Sequence, residues 1–173
     1  MTGPGPGPGH DPVAELRLRP MEPADHDEVL RINEASVHFL SPLTGERLVE
    51  LAGMAVFSPV VEADGRVVAF ALAFGPGVAY ASPNYRWWSE RRDDFLYLDR
   101  IVVDEVARGR RVGSVIYDAL EAQAAPRGRV VAEVNTVPFN GPSLGFHDSR
   151  GYTRHDLVGD AGYQVVMVEK VLP

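Results

Sequence analysis

The stretch "DRIVVDEVARGRRVGSVIYDALEAQA", residues 99–124, constrains the fold of this chain most strongly. Its first residues complete a largely apolar run, Phe95–Val103, that predicts a buried central strand. Its last part predicts a helix, because apolar residues recur at i, i+3, i+4, i+7 and i+8. These residues are Val112, Val115, Ile116, Ala119 and Leu120. A second apolar run at Arg129–Asn135 then predicts a parallel strand–helix–strand crossover.

The other patterns predict mostly antiparallel strands around that crossover. Asp64-Gly65 between two β-prone runs is typical of a hairpin turn. Helices are expected from Pro23, across Gly45–Ala52 and at Pro142–Ser149, whereas Gly75–Asp94 is expected to be a long connection. The expected order is βααβββαβαββ. The predicted fold class is therefore α/β (α+β), with a mixed, twisted sheet of about six to seven strands and about four helices.

The first residues differ from the rest in composition. "MTGPGPGPGHDP" alternates glycine with proline and has no apolar periodicity, so residues 1–13 are predicted to be a disordered tail. They lack the charged and apolar regions of a signal peptide. Residues 14–173 are predicted to form a single domain, a size that allows a proper core.

Composition excludes several functions. The chain has no cysteine, which excludes disulfides, cysteine-ligated zinc and thiolate catalysis, and suits the cytoplasm. A net charge of −7 disfavours nucleic acid as a partner. No apolar run reaches the ~20 residues of a membrane span. The five histidines lack metal-ligand spacing, so no metal is expected.

Residues Arg108–Ser114 predict an anion site. A strand that leads through a glycine-bearing turn into a helix brings free backbone N–H groups together, and the helix dipole favours negative charge there. Arginines at positions 108, 110 and 111 add phosphate donors to an otherwise acidic chain. The segment is neither a P-loop nor a dinucleotide fingerprint, because it lacks Lys-Ser/Thr and the third glycine.

Arg108-Gly109-Arg110-Arg111-Val112-Gly113 resembles the Arg/Gln-x-x-Gly-x-Gly/Ala motif of the GCN5-related N-acetyltransferases. "NGPSLGFHDSRGY", residues 140–152, resembles the later motif Asn-x-x-Ala-x-x-Phe-Tyr-x-x-x-Gly-Phe of that family. The resemblance extends over Leu16–Leu172 and implies an acyl-CoA N-acyltransferase fold. The segments "FLYLDRIVV" and "SPNYRWW" are also similar to segments of predicted bacterial acetyltransferases of unassigned substrate.

The resemblance implies acetyl-CoA as co-substrate. The pyrophosphate is expected on the turn, and the pantetheine arm is expected beside the central strand and the short helix. The implied coenzyme A contacts are Ile101, Val102, Val103, Arg108, Gly109, Arg110, Arg111, Val112, Gly113, Ser114, Asn140, Ser143, Phe146 and His147. Arg111 occupies the position of the family's first glycine, and we hypothesise that its guanidinium holds a phosphate.

Three residues are candidates for the chemistry. His147 stands where the family has a tyrosine near the thioester sulfur, and is the candidate general acid; the alternative is packing on its helix. Glu133 lies among valines and is the candidate base, with a salt bridge to Arg100 as the alternative. Tyr97 and Asp99 alternate with leucines and are therefore expected to share a face with Ile101. Either side chain could orient a water that removes the proton. Alternatively, Asp99 pairs with Arg100.

The acceptor is predicted to be a small-molecule or peptide amine. The candidate contacts are Asn33, Glu34, Tyr80, Tyr85, Trp87 and Asn135. The aromatic residues could surround a cation or pack in the core or in a homodimer. Glu34 could meet an amine or be an exposed helix acid, and Asn135 could bind substrate or hold its strand end. The leading function is acetyl transfer by direct attack of the amine in a ternary complex, and the rival is a non-catalytic acyl-CoA binding domain.

Overall fold

Seven strands form one sheet in this computed structural model, which describes residues 15–173. The strands are β1 (Leu16–Pro20), β2 (Pro59–Ala63), β3 (Arg66–Phe74), β4 (Leu96–Val103), β5 (Arg129–Val137), β6 (Thr153–Gly159) and β7 (Gln164–Val171). Their order across the sheet is β1-β2-β3-β4-β5-β7-β6. Of the strand pairs in the described range, only β4–β5 is parallel, which confirms the predicted crossover. The predicted tail, residues 1–13, lies outside the described residues.

Among residues 15–173, five α-helices cover the two faces of the sheet. They are α1 (His26–Glu34), α2 (Gly45–Met54), α3 (Pro83–Ser89), α4 (Val112–Ala124) and α5 (Gly141–Ser149). The core on one face contains residues of α4 and α5, and the core on the other contains residues of α1, α2 and α3. The predicted apolar stripe of α4 is confirmed, with Ile116 and Leu120 fully buried.

One helix was not predicted. Residues 75–94, expected to be a connection, contain α3. Ser82 caps this helix by accepting a hydrogen bond from the Tyr85 backbone N–H at 3.3 Å, and Pro83 occupies its first turn. Both residues are helix-start signals. The helix buries Trp88 completely.

Strands β4 and β5 are paired only at one end. Leu96 lies opposite Val130 and Tyr97 opposite Val131, and the pairing stops there. The indole N–H of Trp88 donates to the backbone carbonyl of Ala132, the next residue of β5, at 3.2 Å. The strands therefore diverge from Asp99 onward, and the β4 edge that faces β5 keeps backbone groups without strand partners.

A bulge at Asp99 changes which way β4 side chains point. Leu72 and Ala73 of β3 lie opposite Arg100 and Leu98, so Asp99 is an extra residue in β4. Tyr97 consequently belongs to the core on the α1 side, while Ile101 packs on the α4 side. The expectation that Tyr97 and Asp99 share a face with Ile101 is wrong, because strict alternation ends at the bulge.

Candidate active site

A cavity of about 430 Å³ lies where β4 and β5 diverge. Its walls come from both strands, from the start of α4, from α5 and from the segment after α1. Cavities of this size and position are typical of small-molecule sites. The cavity is lined by carboxylates from Asp99 and Glu133 and by apolar side chains such as Phe39 and Leu40.

Glu133 is a cavity acid whose pKa differs strongly from its ordinary value. Its Oε1 accepts a hydrogen bond from the Tyr97 hydroxyl at 2.8 Å, whereas its Oε2 is buried without a partner. Burial, reinforced by the charge of Asp99, raises the pKa of Glu133 to about 8; Tyr97 and Asn84 oppose this rise. Arg100 forms no ion pair with Glu133, so the salt-bridge alternative does not hold.

Asp99 and Arg100 form the structural pair that the sequence suggested. Arg100 Nε donates to Asp99 at 3.2 Å, and its Nη1 and Nη2 donate to Asn33 at 2.8 Å and to the Ser41 hydroxyl at 2.7 Å. The Tyr80 hydroxyl also donates to Asp99, at 2.5 Å. Burial nevertheless raises the pKa of Asp99, against the effect of these donors.

The buried side chain of His147 uses both ring nitrogens. Its Nδ1 lies 2.8 Å from the Ser143 carbonyl, which can only accept, so Nδ1 carries the hydrogen. Its Nε2 lies 2.6 Å from the Tyr117 hydroxyl and therefore accepts from it. Burial lowers the pKa of His147. The resting imidazole is thus neutral, with its tautomer determined by two partners.

The start of α4 presents free backbone N–H groups. The first hydrogen bond of the helix joins the Val115 N–H to the Arg111 carbonyl at 3.1 Å, so the N–H groups of Val112–Ser114 precede it. Arg111 itself has φ 62° and ψ 18°, the left-handed region that glycine prefers. Its exposed side chain extends from a strained backbone position at the mouth of an anion site.

The structure brings together most of the residues implied to bind coenzyme A. The predicted contacts that line the cavity are Ile101, Val102, Val103, Arg108, Gly113, Asn140, Ser143, Phe146 and His147. Gly109, Arg110, Arg111, Val112 and Ser114 adjoin it along the turn but do not line it. Asn140 also caps α5, because its side chain accepts from the Ser143 N–H at 3.3 Å.

These residues fit an acyl-CoA. The α4 amides and Arg108 offer donors to phosphate at one end. The unpaired β4 edge at Ile101–Val103 offers strand-like hydrogen bonds to amide groups, and the apolar walls fit a short acyl chain. The cavity extends from this edge to Glu133.

The predicted acceptor residues separate into two groups. Asn135 lines the cavity, and Tyr80 adjoins it through Asp99. The side chains of Asn33 and Tyr85 are instead used internally, by Arg100 and by the Gly75 carbonyl. Trp87 packs on Trp88 and under Arg91, and Glu34 is exposed on α1. Trp87 and Glu34 were predicted to contact the substrate, but neither lines the cavity.

Several cavity residues were missed by sequence reasoning. Tyr117 lies on the inward face of α4, one turn after Gly113, where a tyrosine among apolar residues was a signal. Asn84 approaches Glu133 from α3, a helix that was not predicted. Ser36, Phe39 and Leu40 follow α1, and their place at the cavity had no local signal.

Residues 15–173 contain neither a candidate metal-binding cluster nor a candidate membrane span. No group of three potential metal-ligating side chains is present among them. None of the helices in this range is both long and apolar enough to cross a membrane.

Solved structures show the same fold at low sequence identity. Ard1 from Thermoplasma volcanium has a TM-score of 0.72 at 20% identity, covering 91% of this chain and 98% of that one. Naa20 from Chaetomium thermophilum, in complex with a bisubstrate analogue, has a TM-score of 0.74 at 18% identity, covering 90% and 86%. The yncA protein from Salmonella typhimurium, solved with its cofactor acetyl-CoA, has a TM-score of 0.68 at 17% identity, covering 91% and 94%.

Comparison by sequence gives two further results. None of the curated proteins matches this chain. The family model described as "Acetyltransferase (GNAT) family" matches residues 13–152, which include both predicted motifs and all three candidate catalytic residues. The chain therefore belongs to the acetyltransferase (GNAT) family and is an acyltransferase that uses acetyl-CoA as its acetyl donor.

Proposed function

We propose that the protein acetylates a primary amine by direct attack of the amine on the acetyl thioester, with Glu133 as general base. The observation that carries this proposal is the place of Glu133, which lines the cavity where β4 and β5 diverge and whose Oε2 is buried without a hydrogen-bond partner. The chain has no cysteine, so its residues cannot form an acetyl-cysteine. When bound, acetyl-CoA supplies an activated acyl carbon.

Glu133 has the acidity that this task requires. An alkyl ammonium, with a pKa of ~10.4, must lose a proton before its nitrogen can attack. A base is most effective when its pKa is close to the working pH. Burial raises the pKa of Glu133 to about 8, and Tyr97 holds Oε1 so that Oε2 is directed to the amine. Tyr97 therefore orients the base.

His147 and Tyr117 serve the sulfur end of the cavity. Both side chains line it beside Ser143 and Phe146. Because Nδ1 of His147 is bound to a carbonyl, Tyr117 provides the only hydroxyl hydrogen between the two side chains. We propose that the Tyr117 hydroxyl gives this hydrogen to the leaving thiolate and that the phenolate so formed regains a proton from solvent after the thiol has left. His147 positions the Tyr117 hydroxyl. The general-acid role proposed for His147 thus becomes one shared with Tyr117.

The proposed coenzyme A site includes the turn before α4. We propose that the amides of Val112–Ser114 and the side chain of Arg108 hold the diphosphate, and that Arg111 adds a guanidinium. Ile101–Val103 would pair with the pantetheine arm, and Asn140 would contact it from the start of α5. The geometry that supports these roles is the free edge of β4 and the uncapped amides of α4.

Thiol release from acetyl-CoA across a panel of amines tests the proposal. We expect release that depends on an acceptor, and a kcat that rises with pH through about 8. Glu133→Gln should lower kcat by roughly 10²–10⁴-fold and abolish this pH dependence. Glu15→Gln, at an exposed residue far along the chain from the cavity, is the control and should be unchanged. Binding of acetyl-CoA without release by any amine would refute the proposal and favour a binding domain.

A further inference from the structure

Two neighbouring side chains of β5 present buried polar atoms without partners. The atoms are Glu133 Oε2, an acceptor, and Asn135 Nδ2, a donor. Residues two apart in a strand point to the same face, and both side chains line the cavity. A buried polar group without a partner destabilises the protein, so a ligand that provides both partners gains binding free energy.

When Glu133 is ionised, as its role as a base requires, this part of the cavity carries negative charge. Asp99 and Glu133 both face it, and the guanidinium of Arg100 is already bound to Asp99, Asn33 and Ser41. Arg108 lines the cavity from the opposite side, at the turn before α4. In the described part of the chain, Arg100 and Arg108 are the only arginine or lysine side chains that line the cavity. An acceptor carboxylate beside the amine would therefore be buried near two acids, which is strongly unfavourable.

The spacing of the two atoms selects the acceptor further. Successive same-face residues of a strand are ~6.5–7 Å apart, and each hydrogen bond spans ~2.9 Å. Converging bonds from Glu133 and Asn135 therefore suit a nitrogen and an oxygen separated by a short carbon link. Phe39 and Leu40 line the same cavity and provide apolar contact for a substituent.

We infer that the acceptor is a primary amine with an uncharged oxygen, a hydroxyl or an amide, near its nitrogen and with no carboxylate there. Glu133 Oε2 accepts a hydrogen bond from the amine, and Asn135 Nδ2 donates to the oxygen. This inference rests on the proposed function and names the acceptor class of the same site.

Three acceptors of matched shape test the inference: L-phenylalaninol, L-phenylalanine and 2-phenylethylamine. They share a ring and an amine and differ in the group at one carbon: a hydroxymethyl, a carboxylate or a hydrogen. We expect kcat/KM to be about 3–10-fold higher for phenylalaninol than for phenylethylamine, which is the effect of one hydrogen bond. Phenylalanine should be at least about 10-fold poorer than either, because its carboxylate would lie near two acids.

Variants of β5 separate the role of Asn135 from a general effect on the strand. Asn135→Ala should lower kcat/KM for phenylalaninol more than for phenylethylamine, and so remove the preference between the two. Thr136→Ala is the control: this neighbour bonds to Gln164 instead of facing the cavity, and the preference should persist. If Asn135→Ala does not fold, the kcat/KM values of the three acceptors with the unmodified protein still test the inferred acceptor class.

The outcomes distinguish this inference from the proposed function. Equal turnover of phenylalanine and phenylalaninol, or an equal loss for all acceptors in Asn135→Ala, overturns the acceptor class alone. Turnover of other amines but of none of these three does the same. If no amine of any kind releases thiol, the proposed function fails and the inference fails with it.

Discussion

The Tyr97 hydroxyl donates to Oε1 of Glu133 at 2.8 Å, across the point where β4 and β5 separate. Tyr97 lies at the last paired position of β4, opposite Val131, and Glu133 lies two residues beyond Val131 in β5. The hydrogen bond therefore joins the closed part of the sheet to its open part. It holds a buried acid at the inner end of the cavity, which is the arrangement on which the proposed chemistry depends.

The raised pKa of Glu133 predicts how stability changes with pH. The pKa is about 8 in the folded protein against an ordinary 4.5, so the folded protein holds this proton more tightly than the unfolded chain does. The resulting stabilisation is fully present below pH 4.5 and is lost as pH rises through 8. Between about pH 5 and pH 8, we expect the free energy of unfolding of the wild type to fall by a few kcal/mol more than that of Glu133→Gln. Urea unfolding at both pH values measures this difference, and parallel curves would contradict the prediction.

The Tyr117–His147 pair predicts coupled substitutions. Tyr117→Phe leaves the buried Nε2 of His147 without a donor, so unfolding should become easier by ~1–3 kcal/mol. It should also lower kcat and leave KM for the amine nearly unchanged. His147→Asn retains a donor for the Ser143 carbonyl but loses the partner of Tyr117. The double variant should cost ~1 kcal/mol less than the sum of the single ones, and simple additivity would show that the pair does not act as a unit.

Arg111 predicts opposite changes in stability and in cofactor binding. Its left-handed backbone costs ~1–2 kcal/mol in a residue with a side chain, so Arg111→Gly should raise Tm by about 2–4 °C. The same variant should bind acetyl-CoA about 10-fold more weakly in calorimetry, because it loses a charged donor to phosphate. Arg111→Asn, which tolerates this backbone, should show the same loss of affinity, whereas Arg111→Lys should retain most of it. Unchanged or tighter binding by the glycine variant would refute the phosphate contact.

Trp88 and Trp87, neighbours in α3, provide a matched pair of substitutions. Trp88→Phe removes the donor to the Ala132 carbonyl and leaves space in the core, so the free energy of unfolding should fall by ~2–4 kcal/mol. Because Ala132 lies where β5 leaves β4, KM for acetyl-CoA should also rise several-fold. Trp87→Phe, on the partly exposed side of the helix, should change both quantities little. Similar losses of stability and similar KM values for the two variants would contradict the specific role of Trp88 at the point where β5 leaves β4.

Residues close together in sequence were predicted well. The stripe of α4 and the Asp64-Gly65 turn follow from local spacing, and the turn residues have positive φ values of 53° and 74°. Local spacing also predicted Glu133 as a buried acid among valines. Each of these features depends on residues within about two helical turns of one another.

Contacts between distant segments could not be predicted in the same way. Tyr117 and His147 are 30 residues apart, and Arg100 finds Asn33 at a separation of 67 residues. These pairs depend on how helices pack on the sheet, which no local pattern encodes. The third helix is different, because Ser82 and Pro83 signalled its start and the aromatic residues after them suggested a loop.

The extra residue at Asp99 has a consequence for how this strand is compared or redesigned. If Asp99 stayed in β4 without the bulge, strict alternation along the strand would turn every later side chain over. Arg100 and Val102 would then project toward α4, and Ile101 and Val103 toward α1. A sequence alignment that closes the gap at this position would therefore assign the wrong side chains to the cofactor, even though every aligned letter matched.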